Sequence, residues 1–142
     1  MADMTNEVPS ILILSHGPLC AAMLESASMI AGDFTGVTAL PFQKEDNPEE
    51  YARRAIDLYK QMPQGSIVLF DLFSGTPFNQ MMQHCGGKVI HGLCGASLPM
   101  LLDALSMREC MAGEELIKAI EQSAHASVVN VGEFMAQALQ EE

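Results

Sequence analysis

One histidine and one aspartate are the side chains of this sequence best suited to do chemistry together. His16 lies in Ser-His-Gly-Pro, directly after the apolar run Ile11–Leu14, and Asp71 directly follows a second apolar run, Ser66–Phe70. Asp71 is also the only carboxylate in residues 61–102. Near neutral pH an imidazole is a good nucleophile toward phosphorus, and a carboxylate on one ring nitrogen would fix its tautomer and stabilise positive charge. The pair therefore indicates a phosphoryl acceptor, with His16 as the nucleophile and Asp71 as the group that orients it.

Each of these residues also has a plainer interpretation. His16 could be a loop histidine satisfied by hydrogen bonds, and Asp71 could cap the helix that follows it. Ser74 and Thr76 could donate hydrogen bonds to a phosphoryl oxygen, but bonding to their own loop is the commoner role. Gly17 would let the backbone approach a ligand at a helix start, where unpaired N–H groups favour a phosphate. The two loops alone leave these alternatives open.

The elements that must position the pair are strands and helices in alternation. Short apolar runs predict four strands, at Ile11–Leu14, Val37–Phe42, Ser66–Phe70 and Lys88–Leu93. Helical spacing predicts helices from Leu19 to Ile30, from Asn47-Pro48 to Met62, and over Pro77–His84, Pro99–Met107 and Glu114–Ala126. A last short strand, Val128–Val131, and a helical tail, Glu133–Leu139, complete the chain.

This alternation predicts one α/β domain over residues 1–142, with a doubly wound, mostly parallel sheet and helices on both faces. Such sheets bind ligands outside the carboxyl ends of the strands, where the strand order reverses. In the order 2-1-3-4 that point lies between the first and third strands. Because His16 and Asp71 follow these two strands, we expect them to flank the crevice.

Composition narrows the class of partner. The 142 residues include 7 basic and 18 acidic side chains, which gives a net charge of −11. That charge disfavours nucleic acids and anionic membranes, and it suits a protein that meets basic protein surfaces. The N-terminal residues have no signal-peptide pattern, and the four cysteines form no CxxC pair. We therefore expect a cytoplasmic protein with buried, reduced thiols.

We expect no cofactor. His84, His91 and His125 are weaker candidates than His16, the first and last as solvated residues and His91 as a packed residue of the fourth strand. No pair of histidines has metal-ligand spacing, and neither GxxxxGK[ST] nor GxGxxG occurs. The phosphoryl donor is then expected to be another protein. A receiver domain phosphorylated on Asp71 is disfavoured, because the first strand lacks the acidic pair that would hold its metal.

Three segments together carry a family resemblance. They are Ile11–Gly32 (ILILSHGPLCAAMLESASMIAG), Ile67–Asn79 (IVLFDLFSGTPFN) and Gly95–Leu102 (GASLPMLL). Their sequences and their order resemble those of the mannose-type enzyme IIA of the bacterial sugar phosphotransferase system. The sequence resembles this family over at least residues 11 to 105. It departs from the pattern at Ser74, where glycine is common, and at Ala96-Ser97, where an asparagine is expected.

The resemblance implies a function and an assembly. His16 would accept a phosphoryl group from the phosphohistidine carrier protein HPr and pass it to a histidine of a separate IIB component, and Asp71 matches the aspartate that orients the active histidine. The chain would form a homodimer that exchanges its last strand. Two related roles stay open, the phosphotransfer subunit of a dihydroxyacetone kinase and a regulatory phosphoprotein that feeds no transporter. The sequence does not identify the transported sugar, because a IIA component does not bind it.

Overall fold

A four-stranded parallel sheet forms the centre of the structure, a computed structural model that describes residues 7–141. Its strands are β1 (Ile11–His16), β2 (Val37–Phe42), β3 (Ile67–Phe70) and β4 (Gly92–Cys94). They lie side by side in the order β2-β1-β3-β4, and every pairing is parallel. The predicted strand order 2-1-3-4 is thereby confirmed, and the carboxyl ends of β1 and β3 meet at one edge of the sheet.

Residues 7–141 form six helices, α1 (Leu19–Ala31), α2 (Pro48–Lys60), α3 (Thr76–His84), α4 (Leu98–Met107), α5 (Gly113–Ala126) and α6 (Val131–Gln140). The first five cover the two faces of the sheet. Helices α1, α4 and α5 pack with Ile11 and Ile13 on one face, whereas α2 and α3 pack with Leu12 and Leu14 on the other. Alternate residues of β1 thus belong to two different cores, which explains why its sequence is a continuous apolar run.

The two central strands are the most deeply buried part of the protein. Residues Ile11–Leu14 are fully buried, and Ile67–Phe70 are at most 2% exposed. Each fully buried Leu, Ile or Phe contributes about 1.5–3 kcal/mol relative to an exposed one. The residues that follow these strands therefore stand on a rigid support.

Helix α2 begins as its sequence predicts. The side chain of Asn47 accepts a hydrogen bond of 3.0 Å from the Glu50 N–H, and Pro48 occupies the first turn. The buried Tyr51 then donates a 2.6 Å hydrogen bond from its hydroxyl to the Leu40 carbonyl of β2. The cap and this bond fix α2 against the sheet.

The fourth strand is shorter and later than predicted. The sequence pattern placed it at Lys88–Leu93, but β4 spans Gly92–Cys94, because only these residues have partners in β3. Residues 88–91 form a loop after two glycines with positive φ, and Val89 is exposed in it. His91 is accordingly a loop residue just before β4.

The predicted strand Val128–Val131 is not a strand in this chain. Residues 128–130 are irregular and Val131 begins α6. The Asn130 side chain accepts a 3.1 Å hydrogen bond from the Glu133 N–H, which is a helix cap. β-Branched residues favour a strand only where another strand can pair with them, and within residues 7–141 none lies beside this segment. No residue of α6 is buried.

Candidate functional site

His16 is the last residue of β1 and stands at the carboxyl edge of the sheet. Its side chain is 44% exposed, and the Phe42 ring meets it edge-on with ring centroids 6.4 Å apart. The neighbouring Ser15 is fully buried and shapes the turn that follows. Its hydroxyl donates to the Gly17 carbonyl at 3.0 Å and accepts from the Cys20 N–H at 2.9 Å. The histidine thus sits between a buried strand and the start of α1.

Asp71 fixes His16 at two points with one oxygen. The Asp71 N–H donates to the Leu14 carbonyl at 3.1 Å, which ties the start of the β3–α3 loop to β1. Its Oδ2 accepts a 2.9 Å hydrogen bond from the His16 N–H and lies 2.9 Å from His16 Nδ1. Because an ionised carboxylate only accepts, this contact assigns the ring proton to Nδ1 and leaves the lone pair on Nε2. The structure therefore brings the sequence-predicted pair together, with Nδ1 facing Asp71 and Nε2 without a hydrogen-bond partner among residues 7–141.

The rest of the Asp71 carboxylate is enclosed. Its side chain is only 10% exposed, and its Oδ1 is buried with no hydrogen-bond partner among residues 7–141. A buried charge with an unpaired oxygen is stabilised when its neighbour becomes positive. The charge also acts on Cys94 at the end of β4, where burial first and Asp71 second raise the pKa of the thiol. The carboxylate of Asp71 thus lies between the His16 ring and the Cys94 thiol.

Gly75 is a site residue that the sequence did not single out. A methyl group at its Cα would lie 2.6 Å from His16 Cε1 and 3.2 Å from Nε2, closer than atoms can pack. Its φ of −84° suits any residue, so glycine is needed here for space and not for backbone conformation. The Gly75 backbone therefore lies against the Cε1–Nε2 edge of the ring. The available signal was a glycine at the N-cap of a helix, four residues after Asp71.

Ser74 and Thr76 flank this glycine at the start of α3. Ser74 is exposed with a left-handed φ of +68°, and Thr76 is the first residue of α3. Within residues 7–141 neither hydroxyl has a hydrogen-bond partner. Asn79 holds the same turn, because its side-chain amide donates to the Ser74 carbonyl at 2.9 Å and its N–H to the Gly75 carbonyl at 2.8 Å.

Gly17 lies beside the ring but cannot offer its N–H to a ligand. That N–H donates to the Phe42 carbonyl at 2.8 Å, and φ is +61°. No atom lies within 4 Å of the position that a side chain would occupy, so glycine leaves open space next to His16. Its contribution to phosphoryl binding would be room rather than a hydrogen bond.

Exposed apolar side chains follow both strands of the site. Leu19 at the start of α1, together with Leu72 and Phe73 of the β3–α3 loop, is here called the apolar rim, and all three are exposed. Phe73 is 69% exposed although its ring contacts Phe78 at a centroid distance of 5.2 Å. Exposed aromatic and aliphatic side chains beside a reactive group are typical of protein interfaces.

The remaining predicted residues lie apart from this site. His91 Nδ1 is 3.5 Å from Glu114 Oε1, a distance beyond a good hydrogen bond. His84 Nδ1 lies 3.0 Å from the Gln80 carbonyl in the last turn of α3, and His125 is exposed near the end of α5.

None of the four cysteines forms a disulfide. Cys20 is buried, Cys85 and Cys94 are partly buried, and Cys110 is exposed, so the prediction of buried thiols was correct for one of the four.

Among the described residues no helix is both long enough and apolar enough to cross a membrane.

The second departure from the family pattern, Ala96-Ser97, lies between β4 and α4. The Ala96 N–H donates to the Phe70 carbonyl at 2.9 Å, and the Ser97 side chain accepts from the Met100 N–H at 3.3 Å. Ser97 is thus the N-cap of α4, which fills a local structural role.

Comparison with known proteins gives consistent matches. A family model described as "PTS system fructose IIA component" (EIIA-man) matches residues 10–121. The "PTS system fructose-specific EIIA component" of Bacillus subtilis (strain 168) is 31% identical over 121 residues, which cover 83% of each chain. The "PTS system sorbose-specific EIIA component" of Klebsiella pneumoniae is 28% identical over 118 residues, covering 78% of this chain and 82% of the relative.

Solved structures share the fold. A phosphotransferase system component EIIA from Streptococcus agalactiae matches with a TM-score of 0.77 and 27% identity, over 87% of this chain and 98% of that one. A mannose/sorbose specific IIA subunit from Enterococcus faecalis matches with a TM-score of 0.76 and 25% identity, over 87% and 95%. The family match spans both loops of the site. The chain belongs to the EIIA-man family, the mannose-family EIIA components of the sugar phosphotransferase system.

Proposed function

We propose that this protein is a phosphoryl relay that acts in the cytoplasm and carries the group on Nε2 of His16. The observation that carries the proposal is the 2.9 Å contact between His16 Nδ1 and Asp71 Oδ2, which leaves Nε2 as the basic nitrogen. The donor is the phosphohistidine carrier protein HPr, and the acceptor is a histidine of a separate IIB component. The protein is then a phosphotransferase with a phosphohistidine intermediate.

The chemistry is an in-line exchange of one P–N bond for another. The Nε2 lone pair attacks phosphorus while the P–N bond to the carrier histidine breaks, and that bond's electron pair returns to the carrier's ring. His16 keeps its proton on Nδ1 and becomes a positively charged phosphohistidine, whose charge the Asp71 carboxylate stabilises. The second transfer repeats the step toward IIB. Positioning and electrostatics supply most of the catalysis in such transfers.

The turn around His16 supports a bound phosphoryl group. The hydroxyls of Ser74 and Thr76 stand at the N-terminus of α3, where backbone N–H groups and the helix dipole favour an anion. Gly17 leaves room on the other side of the ring. We assign these three residues to phosphoryl binding, Ser74 and Thr76 as donors and Gly17 as space.

The apolar rim supports a protein partner rather than a small substrate. Leu19, Leu72 and Phe73 would be covered when a second protein docks over His16, which also excludes water from the transfer. The surrounding chain carries a net charge of −11, so a basic partner surface would associate fast and in a salt-dependent way.

The test is reconstitution with phosphoenolpyruvate, the upstream enzyme and HPr. We expect acid-labile, base-stable label on the wild type, none on His16→Ala, and full label on the control His84→Ala. Once the carrier is phosphorylated and isolated, its transfer to His16 should need neither metal nor ATP. Label that persists in His16→Ala, on His91 or Asp71, would contradict the proposal.

We also propose a homodimer in which the C-terminal segment is exchanged. Residues 127–141 are exposed throughout, and Val128 is 86% exposed. The outer edge of β4 has no strand beside it among residues 7–141. An unpaired edge and an exposed β-branched segment complement each other, and pairing them between two chains would bury both.

Light scattering tests the assembly. We expect two chains for the intact protein at micromolar concentration. A protein truncated before Ala126 should be an unstable monomer or should aggregate through the exposed β4 edge. One chain per particle for the intact protein would contradict the exchange.

A further inference from the structure

We propose that Asn79 is a positioning residue for His16 and acts through the backbone of Ser74 and Gly75. The inference deepens the proposed relay and rests on it for its kinetic part. Asn79 has no contact with the ring. Its influence would pass through the turn that presses Gly75 against the nucleophilic edge of His16.

Asn79 holds two consecutive carbonyls of this turn. Its N–H donates to the Gly75 carbonyl at 2.8 Å, as any helical residue at that place would. Its side-chain amide donates to the Ser74 carbonyl at 2.9 Å, a bond that only a donor side chain of this length can make. The second bond depends on the residue type and is therefore the informative one.

The bond restrains a backbone that would otherwise relax. Ser74 is the only non-glycine residue with a positive φ within residues 7–141, and its φ is +68°. An L residue is strained in this region, so it persists there only where neighbouring contacts hold it. The Asn79 side chain supplies such a contact on the Ser74 carbonyl.

Gly75 transmits the restraint to the ring. Asp71 Oδ2 holds the ring at Nδ1, but a ring held at one atom can still tilt about that contact. The Gly75 backbone blocks the tilt, because it packs so tightly against Cε1 and Nε2 that a methyl group there would overlap the ring. If Ser74 relaxes, Gly75 withdraws from this edge, and the direction of the Nε2 lone pair is less well defined.

Rescue by glycine separates positioning from other roles. Glycine adopts a φ of +68° without strain, so Ser74→Gly should make the Asn79 bond dispensable. Were Asn79 only a contact for the docking partner, Asn79→Ala would raise KM and Ser74→Gly would not restore it. Were it only a helix-stabilising residue, Asn79→Asp would be harmless, because an acidic residue near a helix N-terminus is favourable.

The experiment compares Asn79→Ala, Asn79→Asp, Ser74→Gly and the Asn79→Ala/Ser74→Gly double variant. The control is Gln83→Ala, an exposed residue of the same helix. The first measurement is carbon-13 relaxation of His16 Cε1 in the unphosphorylated protein. The second is kcat and KM for transfer from phosphorylated HPr.

We expect Asn79→Ala and Asn79→Asp to increase the mobility of Cε1, whereas Gln83→Ala matches the wild type. Asn79→Ala should lower kcat on the order of tenfold with KM unchanged, since a small misplacement of a reacting atom slows the chemical step. The double variant should return to within about twofold of Ser74→Gly.

An unchanged Cε1 mobility in both Asn79 variants would overturn the inference. So would a double variant that is slower than Ser74→Gly by the same factor by which Asn79→Ala is slower than the wild type. The two proposals fail differently. If wild-type protein takes no phosphoryl group from HPr, the relay is wrong, and the positioning role is then judged by the Cε1 mobility alone. If the wild type is phosphorylated but the variants leave the ring unmoved, only the positioning role is wrong.

Discussion

Replacing Gly75 with alanine is the sharpest test of how the site positions the His16 ring. The new Cβ would lie 2.6 Å from His16 Cε1, whereas ordinary contacts begin at 3.4 Å. The ring must therefore move by about 0.8 Å or tilt by an equivalent amount. A shift of the whole ring by this amount along the Nδ1–Oδ2 direction would lengthen the 2.9 Å contact with Asp71 beyond hydrogen-bond range, whereas a tilt about Nδ1 would keep the contact and redirect Nε2.

The expected loss of transfer rate follows from this displacement. A misplacement of about 1 Å can cost on the order of 10²-fold, which corresponds to about 2.7 kcal/mol in the activation barrier. The fold should survive, because the φ of −84° at Gly75 suits alanine and an alanine at an N-cap costs about 1 kcal/mol. That cost is small beside the stability of about 5–15 kcal/mol of a typical domain.

The assay is single-turnover transfer from phosphorylated HPr, with thermal unfolding measured in parallel. Gly132→Ala is the matched control, since its Cβ would meet only Asn130 Oδ1 at an ordinary 3.4 Å. A Gly75→Ala protein that transfers at the wild-type rate would refute the claim that the Gly75 backbone positions the ring.

Three further outcomes follow from the site and its surroundings. Asp71→Asn should keep the fold but slow phosphoryl transfer by a factor on the order of 10²–10⁴ in the same single-turnover assay. An unchanged transfer rate would assign Asp71 to turn capping alone. The same change should lower the pKa of the Cys94 thiol, because the Asp71 charge adds to burial in raising it, so alkylation of Cys94 in mildly alkaline buffer should accelerate. Burial raises the pKa of both Tyr51 and Tyr59 above the usual value of about 10, so folding keeps these phenols protonated. The contribution of these two tyrosines to the free energy of unfolding is full below pH about 10 and is lost as the pH rises further. Tyrosinate absorbance that appears near pH 10 in the folded protein would contradict this.

The positions of the central strands and of the His16–Asp71 pair at their ends were predictable because both depend on local sequence signals. Continuous apolar runs identify strands buried on both faces, and the carboxyl ends of such strands converge. An isolated aspartate after one run and a histidine after another then had to lie close together. The caps of the helices were equally local, as Asn47 shows.

What could not be predicted depends on contacts between distant parts of the chain. The need for glycine at position 75 comes from a ring supplied by β1, and no local pattern reveals it. The left-handed φ of Ser74 breaks a rule of residue preference, which is common at functional sites. The predicted strand at Val128–Val131 was wrong for the single chain, because the Asn130 cap acts locally whereas a strand needs a neighbour.

The double attachment of His16 to one oxygen has a kinetic consequence. Asp71 Oδ2 bonds both the backbone N–H and the ring of the same residue, so the imidazole cannot swing between two directions. In the proposed relay, donor and acceptor would therefore approach Nε2 from the same side and could not be bound at once. Turnover would then be a ping-pong cycle with mutually exclusive partners, in which an excess of one partner would block access of the other and slow the overall transfer.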